Sequence, residues 1–138
     1  MKKTFLRIGS LLAFLVVILG AFGAHGLKAL ISAEQLNTFE TGVRYQFYHA
    51  FAILVVGLSC YFRKTKLLHW SGWLFLVGTA LFSGSIYLLS LQELIKLPTS
   101  IIGPITPLGG TILIVGWALF FISTFQKNEL SHRHKESY

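Results

Sequence analysis

Four long apolar stretches dominate this sequence, and they constrain its fold more than any other feature. They cover approximately residues 4–24, 44–62, 68–91 and 106–125. Each is close to the roughly 20 apolar residues that a helix needs to cross a hydrocarbon core about 30 Å thick. None shows the alternation of apolar and polar residues that is typical of a barrel strand, and a helix satisfies its own backbone amides in lipid. The sequence therefore predicts an all-α fold, a four-helix transmembrane bundle.

Composition indicates a single membrane domain, residues 1–126, followed by a polar tail, residues 127–138. Apolar residues make up 54% of the chain and charged residues only 12%. A soluble domain carries about twice that share of charged residues, so the composition argues against a soluble enzyme, a DNA-binding module and a disordered chain. The only cysteine, Cys60, lies in an apolar stretch, which leaves no disulfide framework and no thiolate metal site.

Basic residues are distributed unequally between the two ends of the predicted spans. Only three fall on one side, namely Lys28, Arg44 and Lys96. The other nine fall on the opposite side: Lys2, Lys3, Arg7, Arg63, Lys64, Lys66, Lys127, Arg133 and Lys135. The positive-inside rule then predicts a multi-pass protein of the bacterial inner membrane with both termini in the cytoplasm, the tail included. The net charge of +7 would face lipid headgroups, so we expect the lipid bilayer and no nucleic acid as a partner.

The first span has an alternative interpretation as a signal peptide, because basic residues precede it and small residues end it. Its apolar run of about 17 residues is long for a signal-peptide core. We therefore expect this span to be retained in the protein.

The predicted outer connections carry recognisable helix signals. Ser32 with Gln35 three residues later resembles a capping box. Residues 33–42 then read as a short amphipathic helix, which either lies in the interface or continues directly into the second span. We expect it to cover the mouth of the bundle, with a gate as the alternative. Before the fourth span, prolines and glycines predict no regular helix until Thr106 caps it and Pro107 occupies its first turn.

Four segments resemble a known family. They are GAFGAHG from Gly20, YQFYHA from Tyr45, LFSGSIY from Leu81 and TPLGG from Thr106. In this order they are similar to the YgdD/YwdK-like family of small bacterial inner-membrane proteins, whose animal relatives are named only as a transmembrane protein. The resemblance covers the chain to about residue 125. It implies a polytopic membrane protein and no activity, because the function of the family is unknown.

Polar residues of the four predicted spans converge on one level. If the outer boundary lies near Arg44, His49 is about 7 Å below it at 1.5 Å per helical residue. The same reasoning places seven polar residues in the outer half of the bundle: His25, Gln46, His49, Ser83, Ser85, Tyr87 and Thr106. Because polar groups in lipid are costly unless paired, we expect them to face the bundle interior or a neighbouring subunit. The inner halves of the spans are nearly free of such groups.

Small residues predict close helix packing. The candidates are Gly20, Gly23, Gly84, Gly109, Gly110 and Gly116. Gly109 and Gly116 are seven positions apart and therefore lie on one stripe. Small residues on several faces favour a homo-oligomer.

Two functions are compatible with the polar layer. In the first, its members bond one another and fix the packing of a non-catalytic structural or partner-binding membrane component. In the second, they form a pocket or pathway for a small solute, ion, proton or lipid, and His25 and His49 could then titrate near neutral pH. We expect no enzyme, metal or cofactor. The sequence has no aspartate, Glu40 would be the only third ligand beside the two histidines, and a bis-histidine haem is disfavoured.

Overall fold

The computed structural model of the protein describes residues 2–126 and confirms an all-α fold. The helices are α1 (Lys2–His25), α2 (Ala33–Phe62), α3 (Lys66–Ser90), α4 (Gln92–Ile95), α5 (Thr99–Ile102) and α6 (Ile105–Ser123), with a 3₁₀ turn at Leu27–Ala29. Four helical segments are long and apolar enough to cross a membrane: Lys3–Ala29, Ala33–Phe62, Lys66–Ser90 and Thr99–Ser123. The predicted tail, residues 127–138, lies outside the described residues.

The second helix starts eleven residues before the predicted second span. The Ser32 hydroxyl caps it by accepting a hydrogen bond from the Gln35 backbone N–H at 3.2 Å. The Gln35 side chain does not complete the capping box, because its Oε1 has no hydrogen-bond partner. The segment 33–42 therefore continues directly into the second span, as one of the two predicted alternatives states. The other alternative, a separate helix in the membrane interface, is wrong. At 1.5 Å per residue α2 is about 45 Å long.

The connection between α3 and α6 is more helical than predicted. It contains the single turns α4 and α5, separated by Lys96 in a left-handed conformation with φ of 49°. The prediction that Thr106 caps the last helix is wrong, because α6 begins at Ile105 and Pro104 occupies the cap position. Pro107 lies in the first turn as predicted, where its missing N–H interrupts no helical hydrogen bond.

The long helices pack in the order α1, α2, α3, α6, so α2 and α3 form the centre. Buried residues on α2 recur at alternating spacings of four and three residues. The mean repeat of 3.5 residues is the one found in left-handed coiled coils. They are Gln35, Phe39, Gly42, Gln46, His49, Ile53 and Val56. The apolar part of this stripe packs against Phe5, Leu68, Phe75 and Leu113 from the other three long helices. The predicted common face of Gln46, His49 and Ile53 is therefore confirmed.

Three of the six glycines predicted to pack helices do so closely. A β-carbon at Gly23 would lie 2.9 Å from the Phe39 ring, and one at Gly116 would lie 3.0 Å from the Phe75 ring. One at Gly109 would lie only 2.5 Å from the backbone nitrogen of Phe82. The backbones of α3 and α6 therefore touch at this point.

The other three glycines do not bring helices into close contact. A β-carbon at Gly84 would have no atom within 4 Å, so this glycine packs against no other helix in the described part of the chain. Gly20 and Gly110 would make only ordinary van der Waals contacts, at 3.7 and 3.5 Å. The sequence shows which residues are small, but the rotation of each helix decides which of them face a neighbour.

The end of α6 is tied to the connection between α2 and α3. Nη1 of Arg63 donates to the Thr124 carbonyl at 2.9 Å, and Nη2 donates to the Gln126 carbonyl. The last carbonyls of a helix have no partner within it, and a cation there also interacts favourably with the helix dipole. Arg63 therefore acts across the bundle as a cap for α6.

Candidate functional site

Gln46 joins three helices. Its Nε2 donates to the carbonyl of Leu12 on α1 at 3.0 Å, and its Oε1 accepts from the Tyr87 hydroxyl on α3 at 2.8 Å. The Gln46 side chain is only 5% exposed. The Tyr87 ring packs against Phe39, with ring centroids 5.0 Å apart. This amide therefore satisfies both of its polar ends with groups from neighbouring helices.

His49 joins α2 to α6. Trp117 donates its indole N–H to Nε2 of His49 at 3.2 Å, while Nδ1 lies 2.8 Å from the Tyr45 carbonyl. An indole can only donate, so Nε2 must be the acceptor and Nδ1 must carry the proton. The tautomer thus follows from the partners. Both nitrogens are used, and a second proton on Nε2 would oppose the Trp117 donor.

A third contact joins α3 to α6 near the start of α6. The hydroxyls of Ser85 and Thr106 lie 2.6 Å apart, and Ser85 Oγ also donates to the Phe82 carbonyl at 2.9 Å. Ser85 must therefore accept the proton of Thr106 when its own proton is used within α3. We call the side chains of Gln46, Tyr87, His49, Trp117, Ser85 and Thr106, with the Leu12 carbonyl, the interhelical network.

Two predicted members of the polar layer do not join this network. His25 is exposed at the end of α1, where its Nδ1 lies 3.1 Å from the Ala21 carbonyl of its own helix. Ser83 is 1% exposed, and its hydroxyl has no hydrogen-bond partner among the described residues. α1 therefore contributes a backbone carbonyl to the network and no side chain.

The Leu12 carbonyl and His49 lie near the middle of α1 and α2, whereas Ser85 and Thr106 lie near the ends of α3 and α6. Leu12 is about 15 Å from the start of α1 and about 20 Å from its end, counted along the helix. His49 is about 24 Å from the start of α2 and about 20 Å from its end. α2 begins at Ala33, so the boundary predicted near Arg44 falls within this helix.

Sequence reasoning missed Trp117 and the Leu12 carbonyl. In the sequence, the inner halves of the spans are nearly free of polar groups, although the indole of Trp117 in the fourth span carries a hydrogen-bond donor. Tryptophan is enriched at the membrane–water interfaces. Its presence in the middle of a predicted span was therefore the available signal that Trp117 bonds another helix. A backbone carbonyl leaves no such signal in the sequence.

The described residues 2–126 contain no cluster of three or more metal-ligating His, Cys, Asp or Glu side chains. The hydroxyls of Ser71 and Thr79 are buried, and each donates to a carbonyl of its own helix, at 2.8 and 2.6 Å. The buried hydroxyls of Ser71 and Thr79 are therefore satisfied within α3 and add no bond to another helix.

Four apolar helices joined by buried hydrogen bonds define the class of this protein: it is a membrane protein, as its curated relatives are also named. The chain belongs to the family described as "Protein of unknown function (DUF423)", whose model matches residues 19–110. The predicted resemblance to the YwdK-like proteins is thereby confirmed.

Three relatives illustrate the similarity. A UPF0382 membrane protein of Staphylococcus aureus (strain bovine RF122 / ET3-1) is 40% identical over 124 residues, covering 90% of this chain and 97% of that protein. The UPF0382 membrane protein YwdK of Bacillus subtilis is 41% identical over 126 residues, covering 88% and 95%. A UPF0382 membrane protein of Haemophilus influenzae is 38% identical over 130 residues, covering 94% and 100%. No solved structure matches the chain.

Proposed function

We propose that this protein is a non-catalytic structural component of the bacterial inner membrane that binds a partner through the outer faces of its bundle. In this proposal the four long helices cross the membrane, and both termini lie in the cytoplasm. The observation that carries it is the interhelical network, in which polar groups of the bundle centre are used to bond other helices. A group that is already bonded on both sides is poorly placed to exchange with a passing solute.

The partner in this proposal is a further copy of the same chain. The two end helices of the packing order carry large exposed apolar side chains, including Phe14 and Val17 on α1 and Ile114 and Phe121 on α6, which are 63–70% exposed. Such faces suit either lipid or a second membrane helix. Native mass spectrometry of the protein released from nanodiscs tests the choice: dimers or larger oligomers support self-association, and a sole monomer contradicts it.

The alternative function is a small transporter or channel that uses the same polar groups, and the unpartnered Ser83 hydroxyl favours it. The two functions differ in what His49→Ala should do. In a structural network, the substitution lowers stability, because it removes the Trp117 and Tyr45 contacts and leaves a cavity. In a pathway, it abolishes flux and leaves stability intact.

The experiment uses purified protein in proteoliposomes that contain a pH-sensitive dye, with thermal unfolding measured on the same samples. His25→Ala is the matched control, since His25 bonds only its own helix. We expect wild-type vesicles to leak protons no faster than empty ones, and only His49→Ala to unfold at lower temperature. Wild-type proton flux that is lost in His49→Ala, at an unchanged unfolding temperature, would refute the structural role.

A further inference from the structure

A small cleft lies where α2 ends, α3 begins and α6 ends. Its volume is about 40 Å³, which is room for roughly two or three water molecules at about 10–15 Å³ each. The packing of three helix ends creates this cleft, because its polar lining residues come from all three: Ser59, Arg63, Thr65, Ser123 and Thr124.

The cleft holds hydrogen-bond donors that the chain itself leaves unused. A guanidinium has five N–H donors, and Arg63 gives two of them to the carbonyls of Thr124 and Gln126. The Thr65 hydroxyl oxygen accepts from the Leu68 backbone N–H at 3.2 Å, and its own hydrogen has no acceptor among residues 2–126. An occupant that fits these groups therefore supplies acceptors.

The Ser59 hydroxyl is a second, independent indication of a missing acceptor. It makes no hydrogen bond within the described residues, whereas the hydroxyls of Ser123 and Thr124 donate to carbonyls of their own helix end, at 2.6 and 2.7 Å. The Ser59 oxygen is also accessible, unlike the enclosed oxygen of Ser83. Ser59 therefore offers a donor to a group that enters the cleft.

The charge around the cleft favours an anion. Lys3, Arg7 and Lys66 are exposed basic residues at this end of the bundle, because the contact between the rings of Phe5 and Trp73 brings the start of α1 beside the start of α3. The glutamates of residues 2–126 all lie at the opposite end of the long helices: Glu34, Glu40 and Glu93. None of these carboxylates therefore offsets the positive potential at the cleft.

Trp70 indicates which anions are within reach. It lies in the second turn of α3 and is 60% exposed. Tryptophan is enriched at the level of lipid headgroups, and the cleft lies beside the first turn of the same helix. With the four long helices crossing the membrane as proposed, the cleft lies at the level of the phosphate groups.

We propose that this cleft binds a phosphate group, one oxygen of which enters between Arg63, Ser59 and Thr65 while the rest of the group stays at the mouth. The phosphate can belong to an anionic phospholipid or be inorganic phosphate. The guanidinium supplies a charge-assisted hydrogen bond, which is stronger than the neutral bonds from the two hydroxyls. The lipid source rests on the proposed crossing of the membrane, whereas the site does not depend on the proposed structural role.

The test uses the full-length protein. Native mass spectrometry after release from nanodiscs counts retained phosphatidylglycerol against phosphatidylcholine, and titration with inorganic phosphate in detergent probes the soluble source. Arg63→Gln removes the charge, and Ser59→Ala removes one donor without breaking a hydrogen bond within the described residues. Arg7→Gln is the matched control, because Arg7 is an exposed basic residue at the same end that does not line the cleft.

We expect binding about tenfold weaker in Arg63→Gln and about threefold weaker in Ser59→Ala, with no change in Arg7→Gln. Phosphatidylglycerol retained with this dependence supports the proposal with lipid as the source. Inorganic phosphate bound with the same dependence, without a lipid preference, supports it with the soluble ion as the source.

The proposal is overturned if neither ligand binds, or if Ser59→Ala binds as tightly as the wild type. It is equally overturned if Arg7→Gln weakens binding as much as Arg63→Gln, which would indicate general attraction to a basic surface. Ser59→Ala decides alone should Arg63→Gln not fold. Lipid is counted per chain, so a failure of self-association leaves this readout unchanged.

Discussion

Gly109 lies where the backbones of α3 and α6 touch, whereas Gly84 faces open space. We therefore expect alanine at these two positions to have different effects on the free energy of unfolding. The β-carbon of Gly109→Ala would lie 2.5 Å from the Phe82 nitrogen, 2.9 Å from its Cα and 3.0 Å from the Leu81 carbonyl carbon. All three are backbone atoms and cannot rotate away. Ordinary contact begins near 3.4 Å, so α3 and α6 must separate locally by about 0.9 Å. The separation would stretch the neighbouring hydrogen bond between Ser85 and Thr106.

The expected cost follows from three terms. Overpacking a tight contact typically costs about 1–3 kcal/mol, and loss of one interhelical hydrogen bond in a membrane protein costs on average about 0.6 kcal/mol. Replacing glycine by alanine within a helix stabilises the helix by at most about 1 kcal/mol, which offsets part of this cost. We therefore expect Gly109→Ala to lower the free energy of unfolding by about 1–3 kcal/mol. Gly84→Ala, which meets no atom within 4 Å, should leave it unchanged or raise it slightly.

Unfolding by SDS in mixed micelles, followed by circular dichroism, measures both variants against the wild type. The two substitutions are chemically identical and lie in packed long helices, so they differ only in what the new methyl group meets. Equal stability of Gly109→Ala and Gly84→Ala would refute the packing of α3 against α6 described here.

Three further predictions concern single groups. Ser83→Ala removes a buried hydroxyl that has no partner, so in the same SDS titration we expect stability to be unchanged or slightly higher; a loss above about 1 kcal/mol would reveal a bond to that hydroxyl. Arg63→Gln removes the charged cap of α6 and should cost less than about 1 kcal/mol, because the side chain is partly solvated, with a smaller cost at high salt. In a Cys60→Ser background, an impermeant maleimide should label Lys28→Cys in intact cells and Lys64→Cys only in opened cells; the reverse pattern would contradict the proposed orientation.

Much of the fold follows from local properties of the sequence. The four helices are set by hydrophobicity and length, and the Ser32 cap is set by residues three positions apart. The shared face of Gln46, His49 and Ile53 follows from the helical period alone. These features involve neighbours in the chain, so the sequence carries them directly.

The parts that the sequence does not predict depend on how separate helices are placed. The bond from Trp117 to His49 spans 68 positions, and it requires α6 to approach α2 beside α3. Gly84 and Gly109 are indistinguishable until the rotation of each helix is known. The position of His49 near the middle of α2 depends on residues 33–42 belonging to the same helix, which is one of the two alternatives that the sequence allows.

The measurement that tests the interhelical network most directly is a double-mutant cycle of Gln46→Leu and Tyr87→Phe, with unfolding free energies from SDS titration. The Tyr87 hydroxyl donates to Gln46 Oε1 at 2.8 Å, and hydrogen bonds of this kind in membrane proteins contribute about 0.6 kcal/mol on average and about 1.7 at most. We predict a coupling energy in that range. Tyr48→Phe is the control partner, since Tyr48 is 55% exposed and should not couple with Gln46. Additive effects of Gln46→Leu and Tyr87→Phe would contradict the account.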